Sequence, residues 1–128
     1  MNTDDVAGLN EITGAIIGAA QTVSGILGCG FLEKVYENAL ALELRRRGHE
    51  VQQQHPVDVR YREEIVGGYV ADLIVDRKVI VELKATPCLE AIHKAQCLNY
   101  LRATGMRLAL LLNFGRPRLE ARRIISGY

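Results

Sequence analysis

Charge excess is almost absent from this chain of 128 residues: 16 Lys and Arg stand against 15 Asp and Glu, a formal net charge of +1 at pH 7. That removes the strongest whole-domain sign of a nucleic-acid binder, so any nucleic-acid site has to be a local patch. Cysteine is scarce and odd in number. Cys29, Cys88 and Cys97 contain no C-x-x-C pair, which argues against a disulfide framework, a zinc ribbon or a four-thiolate iron–sulfur cluster, and for a reducing compartment. Between Ile12 and Leu32 the Gly/Ala-rich stretch is broken by Gln21, Thr22 and Ser24, so no run of roughly 18 apolar residues exists to span a membrane. Met1 to Leu9 is acidic through Asp4 and Asp5, has no basic flank before an apolar run, and does not read as a secretory signal; a cytoplasmic protein is expected. There is no Pro- or Ser-rich linker, no low-complexity tract, no internal repeat and no P-loop. The remaining composition, 48% hydrophobic and 24% charged, predicts a single domain over residues 1–128.

What is present has a clear order. Val6, Leu9, Ile16, Ile17, Ala20, Val23 and Leu27 recur near a 3.6 period and predict a helix up to Gly28, with Thr3 or Asp4 as its cap. After Gly28-Cys29-Gly30 the pattern over Phe31 to Arg47 predicts a second helix, stopped by Gly48. The texture then turns β-branched and alternating: Val51 to Gln54, Val57 to Tyr61 after Pro56, Gly68 to Val75 and Val79 to Ala85 read as strands. Thr86-Pro87 opens a helix over about Cys88 to Thr104, closed by Gly105. Arg107 to Asn113 is apolar enough for a strand buried on both faces, and Leu119 to Ile125 adds an edge strand. The fold class is α/β, with a mixed sheet flanked by helices.

Three charges interrupt otherwise buried strands: Asp72, Glu82 and Lys84. A three-residue turn at Asp76-Arg77-Lys78 pairs Val75 with Val79, sets Asp72 opposite Glu82 with Cβ atoms about 5 Å apart, and puts Lys84 on the same face. A two-residue turn would send Asp72 to the other face, so the turn length tests the reading. Two carboxylates held so close in a poorly solvated site repel, and a divalent cation satisfies both. Hard oxygen ligands with waters and a substrate phosphate suit magnesium or manganese, and a lysine beside them can steady an attacking water or the charge developing on phosphate. The plain alternative is a structural ion-pair network at a strand end.

Asp72 followed by Glu82-Leu83-Lys84 resembles the PD-(D/E)XK nuclease superfamily. Gly30-Phe31-Leu32-Glu33-Lys34-Val35-Tyr36 fits the signature of one branch, the GxxExxY proteins, and Pro56-Val57, Gly68-Tyr69, His93-Lys94-Ala95-Gln96 and Leu112-Asn113-Phe114-Gly115 are similar to the same branch. Ala71 stands where many members carry proline. The resemblance implies a restriction endonuclease-like core in the order α-β-β-β-α-β with an extra N-terminal helix. It also implies a metal-dependent nuclease that hydrolyses phosphodiester bonds of DNA. On these residues it makes Glu33, Asp72 and Glu82 the metal ligands for Mg2+ or Mn2+, and Asp72, Glu82, Lys84 and Gln96 the catalytic set. Gln96 and Tyr100, spaced as i and i+4 on one helix face, resemble the Q-x-x-x-Y element of some exonucleases of the superfamily, and His93 shares that face. Tyr100, His93 and Tyr36 are the candidate substrate contacts.

Each of these has a plainer use. Tyr36 and Tyr100 are also aromatics suited to a core, His93 to an ordinary helix surface, and the three cysteines to small packing residues. The Gly/Ala-rich first helix serves either packing within the domain or a homodimer contact. Arg45-Arg46-Arg47 and Arg116, Arg118, Arg122 and Arg123 are either a phosphate track or a solvated face. The rival to a nuclease is a catalytically silent nucleic-acid- or protein-binding module that keeps the fold.

Overall fold

Alternation and apolar runs build one mixed sheet in the computed structural model, which describes residues 3–126, with side chains from residue 8 onward. Along the chain come α1 (Thr3–Leu27), α2 (Glu33–Arg46), β1 (Val51–Tyr61), β2 (Glu64–Val75), β3 (Val79–Lys84), α3 (Ala91–Thr104), β4 (Leu108–Asn113) and β5 (Glu120–Ile125). The sheet order is β1-β2-β3-β4-β5. Only the β3–β4 pair is parallel, because α3 crosses over between them; the other three pairs are antiparallel. All six residues of β4 are buried, as its continuous apolar run predicts.

Strand alternation divides the core into two layers. Leu73, Val75, Val79, Val81, Leu83, Leu108 and Leu110 pack under α1 and α2, while Ile74, Ile80, Ala109 and Leu111 pack under α3. Two alanines of α1 serve this packing: Ala19 and Ala20, with Ile16, are fully buried in the first layer. Buried Thr13 accepts a hydrogen bond from Arg123 Nε at 3.0 Å and so ties α1 to β5. The proposed Thr3 or Asp4 cap lies outside the described side chains. No helix among the described residues is long and apolar enough to cross a membrane.

Beyond shifts of one or two residues at element ends, three boundaries differ from the sequence reading. The two short strands expected on either side of Pro56 are one strand, because β1 is the sheet edge and proline, lacking an N–H, is tolerated there. β2 starts at Glu64 instead of Gly68, since Arg62 and Glu63 adopt φ of 48° and 70° and close a tight two-residue hairpin. Thr86-Pro87 does not open α3. That helix starts at Ala91, where the Glu90 side chain accepts from the backbone at His93, and His93 Nδ1 accepts from the Glu90 N–H at 3.0 Å.

Asn113 holds the end of β4 against the segment that follows Lys84. Fully buried, it accepts from the Thr86 N–H (3.0 Å) and the Gly115 N–H (2.9 Å), and donates to Thr86 O (2.9 Å) and Glu120 Oε1 (2.9 Å). A Cβ at Gly115 would collide with the Thr86 backbone, so the close approach requires glycine there.

Candidate active site

The turn after β2 has three residues, and Val75 pairs with Val79 as the apolar alternation requires. Asp76 and Arg77 take φ of 54° and 58°, and Asp76 is clasped by the Glu50 N–H (2.9 Å) and His49 Nδ1 (2.7 Å). The same register carried three residues along brings Asp72 beside Glu82. There the regular ladder gives out on both sides of β2: the β2–β3 pairing ends at Leu73–Val81, and the β1–β2 pairing skips Gln54, whose φ is 52°.

Side chains complete the broken ladder. The Asp72 N–H donates to Glu82 Oε1 at 3.2 Å, and the Leu83 N–H donates to Asp72 Oδ2 at 2.9 Å. Each carboxylate therefore fills a position that a backbone carbonyl would occupy in a continuous sheet, which locks the two acids face to face. Buried Glu82 has its carboxyl pushed from 4.5 up to about 9, first by loss of water and then by the Asp72 charge, against a smaller opposing pull from the Asp72 N–H and Lys84. The pair thus holds a proton at neutral pH unless a cation replaces it.

Lys84 lies on the same face, two residues beyond Glu82, and makes no ion pair within 4.0 Å among the described residues. Its charge favours ionisation of both Glu82 and Glu33. Glu33, the first residue of α2, sits at the rim near Asp72 and the Ala85 backbone, and burial raises its carboxyl above the ordinary value. From α3, Cys97 and Tyr100 close the site. Burial, followed by the negative charge of Glu82, pushes both the thiol and the phenol up to about 12, so neither ionises at neutral pH. Gln96 precedes Cys97, half-buried, and its side chain makes no hydrogen bond among the described residues.

Asp72, Glu82, Lys84, Glu33 and Tyr100 are thus brought together. Tyr36 is not. It is fully buried, stacks on Phe114 with centroids 4.8 Å apart, and its hydroxyl donates to Gly28 O (2.6 Å) and accepts from the Phe31 N–H (3.2 Å). Wholly buried, it is out of a substrate's reach, so the expected substrate contact is corrected to a clamp on the turn before α2. His93 likewise has Nδ1 engaged at the start of α3.

Sequence reasoning missed two residues behind Asp72. Buried Glu37 on α2 accepts from Lys34 Nζ (2.9 Å), Gln53 Nε2 (2.8 Å) and Gln54 Nε2 (2.8 Å), and Gln54 Nε2 also reaches Asp72 Oδ1 at 3.4 Å. The run Gln52-Gln53-Gln54 in an otherwise apolar-alternating strand was the only available signal.

Among the described residues no three His, Cys, Asp or Glu side chains converge as a ready-made metal cage. Asp72 and Glu82 place two carboxylates side by side. Such a donor set fits a hard divalent cation of the magnesium type, which keeps several waters and takes one or two protein carboxylates together with substrate phosphate.

A family model described as the PD-(D/E)XK nuclease superfamily matches residues 10–124. No curated protein and no solved structure matches the chain.

Proposed function

Because the chain belongs to the PD-(D/E)XK nuclease superfamily, we propose that it hydrolyses phosphodiester bonds of DNA at the Asp72–Glu82–Lys84 cluster, with magnesium or manganese as resident cation. The interlock of Asp72 and Glu82 carries this reading: a buried carboxyl pushed up to about 9 beside a second carboxylate is a costly arrangement that a divalent cation relieves. Asp72 and Glu82 hold the cation, with Glu33 at the rim contributing through its waters. When bound, the cation supplies positive charge to the phosphate oxygens and acidifies its own water. Lys84, which has no ion-pair partner among the described residues, keeps its ammonium for the attacking water and for charge developing on the phosphate. Gln96 offers an uncommitted amide from α3 to the same phosphate.

The GxxExxY branch is the finer assignment we make. Each residue of that signature has a physical use: Gly30 turns the chain at φ 113°, Glu33 reaches the site, and Tyr36 clasps the Gly28–Phe31 turn. Purified protein is expected to cleave labelled DNA with magnesium or manganese and to stop in EDTA. A panel of single- and double-stranded DNA and RNA left intact under every metal condition overturns the reading in favour of a catalytically silent binding module.

A further inference from the structure

The groove between β1 and α3 adjoins the carboxylate cluster and takes no part in the chemistry above. Its volume is about 730 Å³. Pro56, Ala103 and Met106 give it an apolar floor over buried Val57 and Ile74, and Arg60, Asn99 and Arg102 stand on the polar side. Tyr69, 48% exposed, links it to the site: its ring meets Tyr100 edge to face with centroids 5.5 Å apart, and Tyr100 feels the charges of Glu82 and Asp72. Neither Arg60 nor Arg102 makes an ion pair among the described residues; Arg60 donates to Glu63 O and Arg102 to Asn99 Oδ1. One carboxylate, Asp58, lines the groove against these two guanidiniums.

Resting on the nuclease reading, we propose that this groove holds a single-stranded stretch of nucleic acid next to the scissile phosphate. A base seats over the apolar floor against Tyr69, Asn99 meets its edge, and Arg60 and Arg102 take the flanking phosphates. A duplex presents sugars and phosphates outward and keeps its base faces stacked, so it has nothing to offer an apolar floor beside an exposed tyrosine. An unpaired base supplies a flat apolar face and polar edges together, and aromatic side chains bind it with little regard to sequence.

Fluorescence anisotropy with a labelled oligothymidylate and a duplex of equal length, in EDTA so that no turnover occurs, tests this. Wild type is expected to prefer the single strand. Tyr69→Leu weakens that binding about tenfold and leaves its salt dependence unchanged, as loss of stacking does. Arg60→Gln and Arg102→Gln, both at exposed positions, each lower the slope of log affinity against log salt by about one, as loss of a phosphate contact does. Equal binding of the duplex overturns the proposal. So do unchanged affinity and slope in all three variants, with circular dichroism showing each folded. Cleavage by wild type with all three variants unaffected removes the groove and keeps the nuclease. Groove-dependent binding without cleavage under any metal condition keeps the groove and removes the nuclease.

Discussion

Asp72→Asn is expected to slow metal-dependent cleavage by about a thousandfold or more while the protein still folds. The substitution is chosen for its geometry. Asparagine keeps an oxygen for the Leu83 N–H, so the mended ladder between β2 and β3 survives, but the negative charge that the cation needs is gone. Lys84→Met separates binding from chemistry at the same site. It removes an ammonium that holds no ion pair among the described residues, so cleavage is expected to fall by about 10²- to 10⁴-fold with cation affinity retained. Single-turnover rates on a labelled substrate, read beside manganese affinity for each protein, check both. Asp72→Asn within tenfold of wild type removes Asp72 from the cation site.

The second large effect concerns stability without metal. Glu82 has its carboxyl raised from 4.5 to about 9 in the folded chain, so the folded state binds that proton more tightly than the unfolded one. The stability this confers is complete below about 4.5 and is lost as pH rises toward 9. Glu82→Gln removes the titration and keeps an oxygen for the Asp72 N–H. In EDTA its melting temperature is expected to match wild type near the acid end of that window and to exceed it by about 5 °C or more at the alkaline end. Added manganese reverses the order, because only the wild type gains from binding. Parallel melting curves across the whole pH range contradict the buried-carboxyl account.

The chemistry of β2 and β3 was legible because it breaks a local rule. Charges at Asp72, Glu82 and Lys84 sit in strands whose neighbours are all apolar, and the Val75–Val79 pairing follows from that alternation alone. The support behind Asp72 was not legible. Glu37 looks like any solvated helix residue until Gln53 and Gln54, from a strand beyond the next loop, arrive to bury and bind it. The interruption of the ladder at Gln54 depends on where β1 lies against β2, which local pattern does not encode. Pro56 misled for a related reason, since proline breaks interior strands and is tolerated at an edge, and edge position is a property of the whole sheet. The start of α3 was misplaced because Pro87 is a familiar opening residue, whereas Glu90 and His93 cap each other more completely.

Titration calorimetry of manganese into wild type at pH 7, repeated in two buffers of different ionisation enthalpy, tests the central claim most directly. A cation entering between Asp72 and Glu82 has to displace the proton that Glu82 holds, so metal uptake and proton release are one event. Saturable binding with release of about one proton per ion, abolished in Asp72→Asn, is the predicted result. Absence of binding, or binding that releases no proton and persists in Asp72→Asn, would contradict a metal centre at these two carboxylates.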